Sequence, residues 1–127
     1  MSKMERKEMT DKSETDRLNR IGAEIMPKGL LQEYTVRPWH GWRFKVTDGI
    51  GDLFSPATDL NHTNMVEQEM VKKGWKISVY SPSEETGQHL CIVSKRGYLI
   101  SFKAEAPLRQ KALAIMRAIG KAVESES

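Results

Sequence analysis

The sequence predicts an α+β fold, a mainly antiparallel sheet layered by helices as an α/β/α sandwich, with an additional N-terminal helix. Three observations lead there. From Asp59 to Val123 the pattern runs helix, strand, strand, strand, helix. Trp75, Ile77 and Val79 alternate with Lys76, Ser78 and Tyr80, the period of a half-buried strand. Leu108, Ala112, Ile115, Ile119 and Ala122 recur at steps of four, three, four and three, which puts them on one helical face.

Taken in order, residues 1–12 carry Lys3, Glu5, Arg6, Lys7, Glu8, Asp11 and Lys12, with only methionines for apolar content. So little burial does not offset the entropy of ordering the chain, and a flexible charged arm is expected ahead of one domain over 13–123. Ser13 can cap a helix that carries Leu18, Ile21 and Ile25 on one face and stops at Pro27. Gly22 weakens it, so the helix has to dock on its own sheet or on a partner.

Leu30 to Val36 reads as a strand limited by Pro38. A second strand is expected over about 39–47, where Trp42, Phe44 and Val46 alternate with Arg43 and Lys45 before the Asp48-Gly49 turn signal. Thr58 or Asp59 caps the next helix, which holds Leu60, Met65, Val66, Met70 and Val71, and Gly74 follows it as a C-terminal stop. After the strand from Trp75, Ser81 to Gly87 is a polar loop. Leu90–Val93 and the alternation of Tyr98, Ile100 and Phe102 form a hairpin turning at Lys95-Arg96-Gly97. Pro107 opens the last helix.

A chain of 127 residues with 39% hydrophobic content supports one modest core. Twenty basic and 17 acidic residues leave a net charge of +3, an ordinary solubility balance and not a nucleic-acid footprint. The single cysteine, Cys91, excludes an internal disulfide and sits in an apolar run as a small buried hydrophobe. No stretch has the apolar length of a signal peptide or a membrane span, so a cytoplasmic protein without membrane attachment is expected.

Candidate chemistry is sparse. His40, His62 and His89 read as surface or turn residues and show no metal-ligand spacing, and no nucleophile stands beside a base in the sequence. Glu67, Glu69, Glu84 and Glu85 form an acidic cluster best read as a solvated surface. No catalytic residue, metal or cofactor is therefore assigned, and the chain is expected not to be an enzyme. Trp39 shares strand parity with Arg43 and Lys45, which makes it a better ligand contact than Trp42 on the core side. Lys95 and Arg96 lie at a hairpin tip, and Arg109 and Lys111 lie in the first turn of the last helix, where free N–H groups favour anions.

The run Phe54-Ser55-Pro56-Ala57-Thr58-Asp59-Leu60, the apolar Val66 and Met70, and Ala106-Pro107-Leu108 with Lys111-Ala112-Leu113 resemble the phage ABA sandwich domain family. Leu18 to Met26, with its Ala23-Glu24 step, is similar to that family's leading helix, and the resemblance spans most of 15–122. Asn64 stands where the family commonly has a tryptophan. The resemblance implies a phage accessory protein in an infected bacterial host, with no catalytic motif to carry over.

The nearest mechanistic counterpart is the Thoeris anti-defence type of protein, an oligomer that sequesters a cyclic nucleotide signal. The leading expectation is thus a homo-oligomeric binding protein for a nucleotide-like small molecule, a cyclic ADP-ribose isomer or cyclic oligonucleotide. Trp39, Arg43, Arg96 and Arg109 would line its site. The alternatives are an inhibitor that docks on a host defence protein, through the Leu18–Ile25 stripe or another exposed face, and a nucleic-acid-binding protein.

Overall fold

The computed structural model describes residues 3–81, 87–95 and 100–126, the side chains of 3–11 excepted. Among them are three helices, α1 (Lys3–Ile25), α2 (Leu60–Lys72) and α3 (Lys111–Glu126), and five strands, β1 (Leu31–Tyr34), β2 (Gly41–Phe44), β3 (Trp75–Tyr80), β4 (His89–Lys95) and β5 (Ser101–Ala106). The strands form two antiparallel sheets, β1-β2 and β3-β4-β5. The expected α+β class and the antiparallel sheet layered by helices are both present.

In the larger sheet the register sets Ile77 beside Val93 and Phe102, and Val79 beside Cys91 and Ala104. Those side chains, with Trp75 and Ala106, share the face that builds the core. α3 packs over β4 and β5, and α2 packs along β3. α1 contacts both of these helices, so the layers run sheet, α2 with α3, then α1. The helices thus gather on one face of this sheet. Alternation fits this, because the opposite face is mostly polar, with Lys76, Ser78, Ser94, Ser101, Lys103 and Glu105 beside Tyr80, Leu90 and Ile92.

The Leu18–Ile25 stripe docks within the chain: Leu18 is fully buried, and Ile21 and Ile25 are nearly so. Gly22 is a contact point, since a Cβ there would stand 2.6 Å from Pro56 Cγ and 3.3 Å from Met116 Cε. Gly120 on α3 is crowded to a lesser degree, with Leu18 Cδ2 at 2.9 Å from a Cβ position. The two glycines let α1 and α3 come close.

Several boundaries differ from the sequence reading. α1 starts at Lys3, so Ser13 is inside the helix and residues 3–12 are helical too. Lys, Glu, Arg and Met are good helix formers, and no breaker separates them from the packed portion. The two early strands are four residues each and pair with each other, with Trp39 outside them in a turn that follows a cis Arg37-Pro38 bond. α3 begins at Lys111, not at Pro107, because Pro107 O first accepts the Gln110 N–H in a separate turn. Leu108 is therefore exposed and does not belong to the helix face.

α2 matches its local signals. Asp59 is the N-cap, accepting from the N–H groups of Asn61 and His62, and Gly74 follows with φ of +97°. Val66 and Met70 point inward with Thr63, whereas Leu60 and Val71 face out.

Candidate functional site

Trp39 and Arg43 are joined through the backbone. Arg43 Nε donates to Trp39 O at 3.2 Å, and Arg43 Nη1 donates to Gly51 O at 2.9 Å. The guanidinium clasps the turn before β2 to the returning segment 51–54, which also runs beside β2 through Phe44 N–H to Asp52 O and Phe54 N–H to Trp42 O. Arg43 is thus partly engaged in holding the hairpin and is only half-buried, while the Trp39 ring is exposed. Gly51 is required there, because a Cβ would stand 1.9 Å from Phe44 O.

Behind this hairpin lies an aromatic cluster. Phe44 meets Phe54 edge-on at 5.6 Å, and His62 stacks on Phe54 at 5.2 Å. The Ser55 N–H donates to His62 Nδ1 at 3.1 Å, so in the neutral ring the hydrogen sits on Nε2. His62 is a half-buried positioning group for the loop before α2, not a surface residue. Asn19 of α1 fixes the same loop, its Oδ1 accepting the Ala57 N–H at 2.9 Å.

That loop forms one wall of a groove of about 350 Å³. Ala57, Thr58 and Leu60 line one side, and Leu108, Arg109, Gln110, Lys111 and Ala112 line the other. The first-turn N–H groups of α3 project along its axis at this end. Arg109 is exposed in the turn preceding α3, not within its first turn as expected. Lys111 is exposed and acts electrostatically on Glu67. Burial pushes the Glu67 carboxyl up from its ordinary value, and Lys111 opposes that shift.

The four expected ligand contacts are therefore distributed. Trp39 and Arg43 share the hairpin, Arg109 lies in the groove, and Arg96 lies outside the described residues. No described hydrogen bond or ion pair links Arg109 to Trp39 or Arg43. Glu84 and Glu85 of the acidic cluster also lie outside the described residues, and Glu69 bonds Lys72 at 2.8 Å. Among the described residues no group of His, Cys, Asp and Glu side chains is placed to hold a metal. Asn64 sits on the exposed side of α2 in a shallow hollow with Glu67, Gln68, Val71 and Lys72.

His89 differs most from the sequence reading. It is 8% exposed, its Nδ1 lies 2.6 Å from Ser81 Oγ, and its Nε2 lies 2.7 Å from Leu108 O. The signal was faint: the odd-numbered parity that buries Cys91 and Val93 also buries His89, but no spacing pointed to Ser81 or Leu108. Cys91 is fully buried as expected, and desolvation pushes its thiol up to about 12.

No helix among the described residues is long and apolar enough to cross a membrane. No protein-family model matches the chain, and neither a curated protein nor a solved structure is significantly similar to it.

Proposed function

We propose that this protein binds a small anionic, nucleotide-like ligand in the groove between the starts of α2 and α3, and holds it without transforming it there. The observation that carries this reading is the groove itself: Arg109 and Lys111 stand beside the exposed apolar side chains of Leu60 and Leu108. Cations and helix N–H groups suit phosphate, and the apolar walls suit a base or ribose. The groove is open, so a second copy of the chain would close it and exclude water. The resemblance of 54–70 and 104–120 to phage ABA sandwich domains adds a phage context, in which the ligand is a cyclic nucleotide immune signal.

Isothermal titration with cyclic ADP-ribose isomers and cyclic oligonucleotides tests the proposal. Micromolar binding that falls at least about tenfold in Arg109→Ala and in Lys111→Ala is expected, roughly one charge-assisted contact each. Heat only from dilution with every ligand overturns it.

A second reading, an inhibitor docking on a host defence protein, has its own support. The exposed hydrophobic side chains Leu30, Val36, Trp39, Val46, Ile50 and Leu53 are concentrated in and around the β1-β2 hairpin. Such a concentration fits protein contact. The Leu18–Ile25 stripe does not serve this reading, because it is used inside the fold. Recovery of a stoichiometric host protein that Trp39→Ala abolishes would favour it over the groove.

A further inference from the structure

The antiparallel register places Tyr80 opposite Leu90, which sets Ser81 and His89 opposite each other at the same end of the sheet, and His89 opposite Ala106 on β5. Side chains in that row share the helix-covered face, so Ser81 and His89 point the same way. The chain after β5 turns at Pro107, which brings Leu108 O against the imidazole edge.

The proton positions follow from the partners. A carbonyl oxygen cannot donate, so the hydrogen of the neutral ring lies on Nε2 and goes to Leu108 O at 2.7 Å. Nδ1 then has a free lone pair, and the only hydrogen available to the 2.6 Å contact is that of the Ser81 hydroxyl. Ser81 is exposed and His89 is buried. The hydroxyl of an exposed residue thus donates, in a part-buried contact, to a base whose orientation and tautomer are held by a third group, the arrangement that activates a nucleophile.

We propose that Ser81 is a nucleophile and His89 its general base in acyl transfer from small activated esters. Ser81 Oγ forms a bond to the acyl carbon as its proton passes to His89 Nδ1. The bond from that carbon to the ester oxygen then breaks, the departing alkoxide takes the proton from Nδ1, and the alcohol leaves with Ser81 acylated. Leu108 O acts as a positioning group that fixes the Nε2–H tautomer and aims Nδ1 at the hydroxyl. The Leu108 side chain lines the anion groove while its carbonyl holds His89, but the acyl-transfer chemistry does not depend on the groove binding any ligand.

The test uses the intact chain and p-nitrophenyl acetate, with acetylated residues located by peptide mass spectrometry. Ser81 is expected to acetylate about 100-fold faster than the exposed Ser13 and Ser101, the low end of general-base assistance. His89→Gln keeps an N–H for Leu108 O but supplies no base, and should bring Ser81 down to the rate of the other two serines. The proposal is overturned if Ser81 in the wild-type chain reacts no faster than Ser13 and Ser101. It is equally overturned if His89→Gln, folded by circular dichroism, retains the wild-type rate at Ser81. The wild-type comparison decides alone should the variant not fold.

Discussion

Arg117 on α3 grips Glu14 on α1 through two bonds, Nε to Oε2 at 3.1 Å and Nη2 to Oε1 at 2.7 Å. Its remaining nitrogen, Nη1, donates to Glu105 O on β5 at 2.8 Å, so one guanidinium ties both helices to the edge of the sheet. Lys121, one turn further along α3, ties that helix alone to the same edge, donating to Lys103 O at 2.7 Å. These contacts cover carbonyls that an edge strand would otherwise offer to another chain.

Replacing Arg117 by Ala should lower unfolding stability by about 1–3 kcal/mol, since the pair is fork-shaped and only about a quarter exposed, at 27% and 26%. Arg117→Lys should recover less than half of the loss, because an ammonium cannot bridge both carboxylate oxygens and Glu105 O together. Urea unfolding of the two variants measures this. Equal stability of Arg117→Ala and wild type would contradict the role.

Gly22→Ala should destabilise by about 1–2 kcal/mol, even though alanine is the better helix former by about 1 kcal/mol. The added methyl meets the Pro56 ring at 2.6 Å, and a ring cannot swing aside. Thermal unfolding gives the sign directly, since helix propensity acting alone would raise the melting temperature.

Glu67→Gln should raise the melting temperature at neutral pH. Folding raises the Glu67 pKa above its ordinary 4.5, so the folded state holds the proton more tightly than the unfolded state does. Stability therefore falls as pH climbs from 4.5 through the folded value, and the cost persists above it. The glutamine variant lacks this dependence, so its advantage should fade as the pH drops below 4.5. Melting curves from pH 4 to 8 should show the two proteins converging at the acidic end. An advantage that is independent of pH would mean the gain has another source.

Cys91 should resist thiol reagents in the folded protein and react only as the chain opens, because it is fully buried and its thiol is held up at about 12. Labelling followed across a urea titration should track the unfolding curve. Rapid modification in the absence of urea would place the thiol nearer the surface than β4 puts it.

What the sequence alone determined was set by signals a few residues long. The period-two strand at 75–80, the continuous apolar run at 90–93, the Asp59 cap, the Gly74 stop and the buried place of Cys91 all depend on a residue's immediate neighbours along the chain. The tertiary structure decided where distant residues meet. Gly22 looked like a weak point in a helix and is the place where α1 meets the Pro56 loop. Arg43 looked like a free cation on a strand and is bonded to two backbone carbonyls, one across a loop. Arg109 looked like part of a helix that in fact starts at Lys111, after the Pro107–Gln110 turn. His89 found Ser81 through a strand pairing and Leu108 through a turn beyond the next strand, and no spacing rule in one dimension encodes either meeting. A hydrogen-bonded turn or a strand's alternation is enforced by covalent geometry over a few residues, whereas a pair of side chains from separate elements is enforced only after burial has fixed how those elements stack.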